Sequence, residues 1–249
     1  MPPNAAGMMN GILIVYKPSG WTSHDVCHFI RKRFSITKVG HAGILDRTAT
    51  GVLVVLLGFY TKFSSRFLNE IKEYEGTMEL GIKTSTHDAD GGIVERMSWD
   101  HITETKVRAV IESFHGEREQ LPPMASAVKL GGVRLYKLAR QGKEVERPKK
   151  LIHVYKFEVK AIKLPMIHFA CRVSKGTYVR TLANDIGMEL GTAAYLKELR
   201  RTASGVFRVE ESVTMDFLKT LKVRESLKPY LRTLPAQEPA PPCEILTKE

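Results

Sequence analysis

Residues 40–58, GHAGILDRTATGVLVVLLG, place an aspartate at the edge of an apolar segment. Asp46 follows a glycine-containing loop, and residues 52–57 shortly after it are all apolar. A carboxylate buried alone is too costly to maintain, so Asp46 must be hydrated, paired with a cation or used in chemistry. One such use is covalent catalysis, since a carboxylate can attack a sugar carbon or an electron-poor ring.

A nucleophilic carboxylate has to stay ionised, and this requirement calls for a cationic partner. Arginine suits the task best because it is always charged and can grip two oxygens. The segment SKGTYVRT supplies Arg180 where a predicted strand leads into a helix, two residues after Tyr178. The residue types alone leave the pairing with Asp46 open, because a Tyr-x-Arg sequence is common and usually structural.

Two other kinds of chemistry fit the sequence less well. A metal site would draw on His41, Asp46, His87, Asp88 and Asp90. However, HDADGG lacks the third ligand position of a calcium loop, and His-x₄-Asp is not a zinc spacing, so THDADGG is interpreted as a turn. A serine or cysteine nucleophile is disfavoured because the chain has no G-x-S-x-G sequence and no histidine pattern near its three cysteines.

Periodic patterns predict the elements that must position these residues. Strands are predicted in GILIVYK, KEYEGTMELG, HVYKFEVKAI and IHFACRVS. Helices are predicted after Ser23 as N-cap, from Thr103, in the segment after KGTY, and in AAYLKELRR, with Arg200 and Arg201 at the C-terminal end of the last. Because strands and helices do not alternate regularly, we expect an α+β fold with a mixed, largely antiparallel sheet and flanking helices.

The composition favours a polyanionic partner. The 249 residues include 38 Lys and Arg against 27 Asp and Glu, a formal charge of +11. Nucleic acid is the first candidate and an anionic membrane surface the second, with simple solubility as the alternative. No span of about 20 apolar residues is present, and the N-terminus lacks the basic region of a secretory signal. Widely spaced cysteines without a CxxC pair predict a reduced, cytoplasmic protein without structural zinc.

Seven segments closely resemble the signatures of the TruB-type tRNA pseudouridine synthases, in the family's order and at its usual spacing. They are VYKPSGWTS, GHAGILDRTATGVL, KEYEGTMELG, THDADG, QLPPMASAVKLGGVRLYKLARQG, SKGTYVRTLANDIG and YLKELRR. The resemblance implies the pseudouridine synthase fold. It also implies isomerisation of the T-loop uridine, position 55 of tRNA, to pseudouridine without cofactor or metal.

The same resemblance implies roles for the residues of the reacting centre. Asp46 matches the catalytic aspartate, which bonds covalently to the nucleotide while the glycosidic bond breaks. Arg180 matches the arginine that pairs with it. Tyr74 matches the tyrosine that stacks on the flipped base, and Tyr178 is expected to line the pocket. Without the resemblance, Tyr74 would be interpreted as a core residue of its strand.

Three further residues are expected to support the site. Leu199 matches an apolar wall of the pocket, His41 matches the histidine that enters the T-loop, and Lys17 belongs to a lysine-proline motif that supports the site from outside it. Taken alone, Leu199 would be a core residue and His41 a loop histidine bonded to backbone. Arg200 and Arg201 would form a solvated helix end, or contact phosphate.

The chain departs from the family pattern in two places. Arg47 stands where the family usually has proline, which would loosen the loop or let Arg47 hold a phosphate or Asp46. Ala125 stands where an aromatic residue is common. Neither is a matched catalytic position, so activity is expected. The rivals are a related synthase acting on another RNA and an inactive RNA-binding or RNA-folding protein.

The predicted domain organisation is a catalytic domain over residues 1–231 and a disordered, Pro-rich tail over 232–249. After the catalytic domain we expect no PUA-type RNA-binding module, because about 60 residues would be needed for one. The protein is expected to act as a monomer on the T-arm of tRNA, away from membranes.

Overall fold

The structure, a computed structural model, describes residues 9–234 of the chain. Its strands are β1 (Gly11–Lys17), β2 (Val39–His41), β3 (Thr50–Leu57), β4 (Lys72–Leu80), β5 (Ile82–Thr84), β6 (Ile93–Arg96), β7 (Gly116–Gln120), β8 (Lys129–Leu130), β9 (Val133–Arg134), β10 (Lys150–Lys163), β11 (Met166–Val173), β12 (Ala194–Ser204), β13 (Phe207–Arg208), β14 (Val213–Thr214) and β15 (Leu231–Arg232). Its α-helices are α1 (Ser23–Arg33), α2 (Ser64–Leu68), α3 (Glu104–Glu112), α4 (Leu135–Ala139), α5 (Val179–Leu190) and α6 (Met215–Thr220). Short 3₁₀ helices span Gly58–Phe63, Val209–Glu211 and Arg224–Tyr230.

One large sheet organises these elements in the order β14-β1-β3-β12-β4-β11-β10-β7. Most neighbours along it are antiparallel, while β1 with β14 and β3 with β12 are parallel pairs. The α+β prediction with a mixed, largely antiparallel sheet is therefore confirmed. Two short hairpins, β5 with β6 and β8 with β9, lie outside the large sheet.

Strand β3 is buried on both faces, which explains its unbroken apolar sequence. On one face Leu53, Val55 and Leu57 join a core with α1, and on the other the residues between them join a core with Phe67 and Phe207. Each fully buried aliphatic side chain contributes about 1.5–3 kcal/mol. The strand that follows Asp46 is thus a firm anchor for the loop that carries it.

The half of the sheet formed by β4, β10 and β11 buries one face against α3 and α5. Helix α3 begins after Thr103, whose side chain accepts from the backbone of Lys106, and Val107 and Ile111 face the core. Helix α5 ends at Gly191, which has a φ of +83° that favours glycine. Both helices were predicted from their apolar spacing.

The predicted helix in AAYLKELRR is wrong, because this segment is strand β12. A bulge lies between Leu196 and Glu198, so that Leu196 faces Met78 and Leu199 faces Gly76 on the same side of the sheet. The extra residue gives two inward leucines a spacing of three, which imitates a helix. Pairing with β3 and β4 on both edges decides the conformation against that local pattern.

Three smaller predictions can be compared with the structure. Helix α1 begins at Ser23, and its N-cap is Thr22 rather than Ser23, since the side chains of Thr22 and Asp25 form a capping box. Strand β15 crosses the predicted boundary at residue 232 by pairing with β1. The remainder of the predicted tail, residues 235–249, lies outside the described residues, and within 9–234 no helix is long and apolar enough to cross a membrane.

Candidate active site

The loop that carries Asp46 is held from both sides. The backbone N–H of Leu45 donates to Ser23 Oγ at 2.9 Å, and this buried hydroxyl donates back to the Leu45 carbonyl at 3.3 Å. On the other side Ala49 N–H donates to the Asp46 carbonyl at 3.2 Å. The Asp46 side chain remains 39% exposed.

The guanidinium of Arg180 lies beside Asp46 and is almost completely buried. Its Nε is 3.4 Å from Asp46 Oδ2, and its Nη1 is 3.1 Å from Asp88 Oδ2. Its Nη2 donates to the carbonyl of Ala125 at 2.6 Å. One arginine therefore serves two carboxylates, one partly exposed and one enclosed in the protein.

Asp88 reaches this position from the THDADG segment, which is a turn as predicted. Its Oδ1 accepts from the Asp90 N–H at 3.1 Å and from the hydroxyl of Thr86. Thr84 Oγ1 donates to its carbonyl at 2.8 Å. These bonds aim Oδ2 at Arg180, so Asp88 fixes one side of the guanidinium that faces Asp46.

The surroundings of Asp46 act on its pKa in opposite directions. Partial removal from water raises the pKa of the Asp46 carboxyl, and the nearby Asp88 carboxylate adds to this effect. Arg180 is the main opposing influence and Lys17 a smaller one. The ion pair with Arg180 is thus what favours the charged, nucleophilic form.

A second buried arginine, Arg201, binds the same loop through backbone carbonyls. Its exposed fraction is only 1%, and it donates to the carbonyls of Val52 at 2.7 Å, Ile44 at 3.3 Å and Gly43 at 3.3 Å. Within residues 9–234 no carboxylate lies within ion-pair distance of it. This environment corrects the expectation of a solvated helix end or a phosphate contact for Arg201.

Tyr74 lies opposite Arg201 across the β4–β12 pair. Its ring is 9% exposed, and burial raises the pKa of its hydroxyl, so the phenol stays neutral. Leu199 lies two residues before Arg201 on the same face of β12 and lines the cleft, which has a volume of about 830 Å³. The sheet thus presents Tyr74 and Leu199 side by side.

Tyr178 is positioned by Gln120, a residue for which no role was predicted. Gln120 is buried, its Oε1 accepts from the Tyr178 N–H at 2.8 Å and its Nε2 donates to the Tyr178 carbonyl at 3.1 Å. The Arg180 guanidinium carbon is 5.7 Å from the centroid of the Tyr178 ring. The phenol therefore borders the Asp46–Arg180 pair.

Lys17 is fully buried at the end of β1 and connects the turn that follows this strand to the loop that carries Asp46. Its Nζ donates to the carbonyls of Pro18 at 2.9 Å, Trp21 at 2.7 Å and Arg47 at 3.3 Å. Burial lowers the pKa of Lys17 to about 8, although Asp46 opposes this effect. Lys17 thus acts on Asp46 through the backbone of its neighbour.

His41 ends β2, five residues before Asp46 and on the same loop. Burial lowers the pKa of the imidazole, with the charge of Arg201 as a second cause. Its Nδ1 is buried and has no hydrogen-bond partner among the residues that the structure describes. The backbone-satisfied loop histidine suggested by the residues alone is therefore not observed.

The structure brings five of the predicted residues into one cluster, of which Leu199 lines the cleft: Asp46, Arg180, Tyr74, Tyr178 and Leu199. Asp88, Arg201 and Gln120 complete it and were not assigned to the site from the sequence. All three lie in quoted motifs, namely THDADG, YLKELRR and QLPPMASAVKLGGVRLYKLARQG. For Asp88 and Arg201 a charge within the motif was the available signal.

Comparison with known proteins gives this cluster a family context. Residues 31–179 match the family model described as "TruB family pseudouridylate synthase (N terminal domain)", and residues 180–235 match "tRNA pseudouridylate synthase B C-terminal domain". A protein of Opitutus terrae named "tRNA pseudouridine synthase B" is 43% identical over 233 residues, which cover 94% of this chain and 95% of the relative.

Two solved structures share the fold. A chain of a Cbf5-Nop10-Gar1 complex matches with a TM-score of 0.69 and 31% identity, over 90% of this chain and 60% of that one. A chain of an H/ACA RNP bound to a substrate RNA containing 2'-deoxyuridine matches with a TM-score of 0.62 and 30% identity, over 83% and 51%. This chain therefore spans about half to three fifths of those two solved chains.

Proposed function

Because the chain belongs to the TruB family of pseudouridylate synthases, we propose that it isomerises uridine to pseudouridine at position 55, in the T-loop of tRNA. The observation that carries the proposal is the Asp46–Arg180 ion pair, whose carboxylate is 39% exposed and lies two residues before Thr48, which lines a cleft of about 830 Å³. The curated relative's name supports tRNA as the substrate.

In the proposed mechanism Asp46 attacks the target nucleotide and forms a covalent bond with it while the N1–C1′ glycosidic bond breaks. The detached uracil turns within the pocket, and a C5–C1′ bond replaces the N1–C1′ bond. C5 then loses its proton and N1 gains one, so the product has the composition of the substrate. Asp46 leaves unchanged, and no oxidant, reductant or second substrate is consumed.

The cluster around Asp46 suits the demands of this reaction. The target base must leave its stack, which costs a few kcal/mol, and a ring that stacks on it returns about 1–3 kcal/mol. Tyr74 is the proposed platform, Leu199 the apolar wall and Tyr178 the second ring. Their apolar surfaces exclude water, which would otherwise capture the sugar and release the base.

The remaining residues have supporting roles in this proposal. Arg180 keeps Asp46 ionised, and Asp88 keeps Arg180 in place through the ion pair on its other side. Lys17 and Arg201 hold the loop by its carbonyls. His41 fills the space that the flipped uridine vacates in the T-loop. The formal charge of +11 supports binding to the phosphates of the RNA.

The decisive experiment is incubation with an unmodified tRNA transcript, followed by nucleotide-resolution mapping of pseudouridine. A matched transcript with cytidine at position 55 is the control. We expect one modified position, in the T-loop, and no product from the control. Modification at another site would indicate the related synthase with a different RNA target. Binding without any product would indicate the inactive RNA-binding protein. Action as a monomer in the cytoplasm, without cofactor or metal, stays a prediction.

A further inference from the structure

A second concave surface lies next to the cleft on the outer side of α1. This α1 groove has a volume of about 530 Å³ and is lined by Trp21, Asp25, His28, Phe29, Lys32 and Arg33. None of these side chains takes part in the site around Asp46. The groove therefore has no part in the chemistry proposed above.

The α1 groove and the cleft are separated by a single turn of backbone. Ser19 lines the cleft and Trp21 lines the groove, so that only Gly20 lies between them. Arg47 clamps this residue, because its Nε donates to the Gly20 carbonyl at 3.1 Å and its own carbonyl accepts from the Gly20 N–H at 2.9 Å. This segment forms a ridge between the two surfaces, and the Cα atoms of Ser19 and Trp21 are at most about 7 Å apart.

The exposed side chain of Arg47 thus lies on the ridge, one residue from Asp46. Its Nε is engaged with Gly20, and this contact fixes the direction of the guanidinium. An RNA strand that leaves the cleft over this ridge would pass the cation immediately. Arg47 therefore has the position of a phosphate contact between the two surfaces.

Trp21 gives the groove an aromatic wall. Its ring makes an edge-to-face contact with Phe29, with centroids 6.1 Å apart and an interplanar angle of 80°. The ammonium of Lys219 lies 6.0 Å from the Trp21 ring centroid. Sites for unpaired nucleotides combine such a ring, on which a base stacks, with cations that follow the phosphates.

Positive charge predominates around the groove. Lys32 is exposed, and Arg33 is fixed by donation to the carbonyls of Lys219 and Leu221. The acidic groups nearby are already engaged, since Asp25 caps α1 and Asp216 pairs with Lys219 at 2.8 Å. This balance complements a polyanion rather than an acidic or apolar protein surface.

We propose that the α1 groove binds one unpaired nucleotide of the substrate RNA, adjacent to the uridine that enters the cleft. Its base packs against Trp21, and the phosphate between the two nucleotides lies on Arg47, with Lys32 at the far end of the groove. The proposal rests on the proposed function, because it takes the RNA in the cleft as the source of the nucleotide.

Tryptophan fluorescence provides a direct test. The chain has two tryptophans, Trp21 and Trp99, so Trp99→Phe leaves Trp21 as the only reporter. We expect an unmodified tRNA transcript to quench this fluorescence, with the same Kd as filter binding gives. Filter binding without quenching would overturn the groove proposal and leave the proposed function intact. Absence of filter binding would overturn both.

Substitutions separate stacking from a mere change of environment. Trp21→Ala is expected to weaken tRNA binding roughly tenfold, whereas Trp21→Phe retains an aromatic face and most of the affinity. Lys32→Gln is expected to reduce the slope of log K against log salt by about one. Unchanged affinity in Trp21→Ala would contradict the proposal.

Discussion

The two buried arginines of the site occupy regions of opposite electrostatic character. Around Arg180 the protein gathers negative charge, with Asp46 and Asp88 on either side of the guanidinium. Around Arg201 it gathers neutral carbonyls and other cations. Burial, reinforced by the charge of Arg201, lowers the pKa of Lys72 to about 8. The Arg180 region thus balances its charges by ion pairing. In the Arg201 region the neighbouring Lys72 instead has a lowered pKa and holds its proton less tightly.

This difference separates two tasks that a nucleophilic carboxylate imposes. Arg180 touches the carboxylate itself and so influences its protonation. Arg201 touches only the backbone two and three residues earlier, at Ile44 and Gly43, and so influences its position. A cation that changes the pKa of a carboxylate has to lie close to its oxygens. A side chain that only fixes the position of the carboxylate can bind the backbone of the loop instead. Each arginine can therefore be perturbed without the other.

The largest effect is expected when Asp46, which both arginine regions hold, is changed. Asp46→Asn keeps size and shape but removes the nucleophile, so turnover should fall roughly 10⁴-fold or more. RNA binding should survive or improve, because a negative charge near phosphates is removed. Single-turnover pseudouridine assays and filter binding measure the two quantities. Turnover above background in this variant would exclude Asp46 as the nucleophile.

A stability measurement separates the two arginines next. Arg180→Met leaves the buried Asp88 unpaired, so the free energy of unfolding should fall by about 3–5 kcal/mol. Arg201→Met leaves only neutral carbonyls without a donor, and we expect a smaller loss, of about 1–3 kcal/mol. Urea denaturation measures both.

A double variant provides the control for this difference. Adding Asp88→Asn should restore part of the stability of Arg180→Met, because the unpaired charge disappears, and should bring no gain to Arg201→Met. Equal losses in the two single variants would mean that the contrast between the regions has no energetic weight. Arg180→Lys keeps the charge without the two-pronged grip, and its turnover should be severely impaired.

A smaller effect is expected at Tyr74, which joins the Arg201 region to the cleft. Tyr74→Phe loses only the hydroxyl and keeps the stacking face, so most activity should remain. Tyr74→Leu loses the stacking contribution of about 1–3 kcal/mol, a fall of roughly 5- to 150-fold in kcat/KM. Steady-state kinetics on the same transcript would reveal the order. Equal impairment of both variants would show that the hydroxyl, not the ring, matters.

The smallest effect concerns His87, which belongs to the Arg180 region. Burial, followed by the charge of Arg180, lowers the pKa of His87 to about 4 from an ordinary value of 6.5. Between these values the unfolded chain binds a proton that the folded chain does not, so the free energy of unfolding decreases as pH falls from about 6.5 toward 4.

The measurement is urea denaturation at several pH values across that window. His87→Asn should flatten the acid loss of stability, and asparagine tolerates the φ of +64° at this position. His101→Asn, at an exposed histidine, is the matched control and should leave the pH dependence unchanged. An identical slope in wild type and His87→Asn would show that this histidine has no part in it.

Sequence patterns predicted the elements whose conformation local spacing decides. Strands β4, β10 and β11 and helices α3 and α5 all appeared with correct type. The exception, β12, depends on partners far along the chain, because Arg201 of this strand pairs with Gly51 on one edge and Tyr74 on the other. A bulge within β12 also interrupts the alternation of inward and outward side chains by which a strand is identified from sequence. Tertiary pairing of this kind leaves no local trace.

The same limit applies to the site. Asp46 was identifiable because a carboxylate beside a buried strand demands an explanation, and the family resemblance named its partner. Asp88 was interpreted as a turn residue, since its burial depends on Arg180, 92 positions away. The role of Arg201 was missed because the carbonyl of Val52, which it binds, is 149 positions distant. The residue types indicated the chemistry, but the residues that position Asp46 and Arg180 could be identified only from the fold.

The central place of β12 has a consequence for how the protein is made. This strand enters the sheet between β3 and β4, which the ribosome releases more than a hundred residues earlier. Until residues 194–204 emerge, the facing edge of β4 and the first two residues of β3 lack a partner and are liable to pair wrongly. At Gly51 even a Cβ would overlap the Arg201 backbone, so β12 can pair with β3 here only because residue 51 is glycine. The loop that carries Asp46 therefore acquires its Arg201 contacts only after nearly the whole described chain has been synthesised.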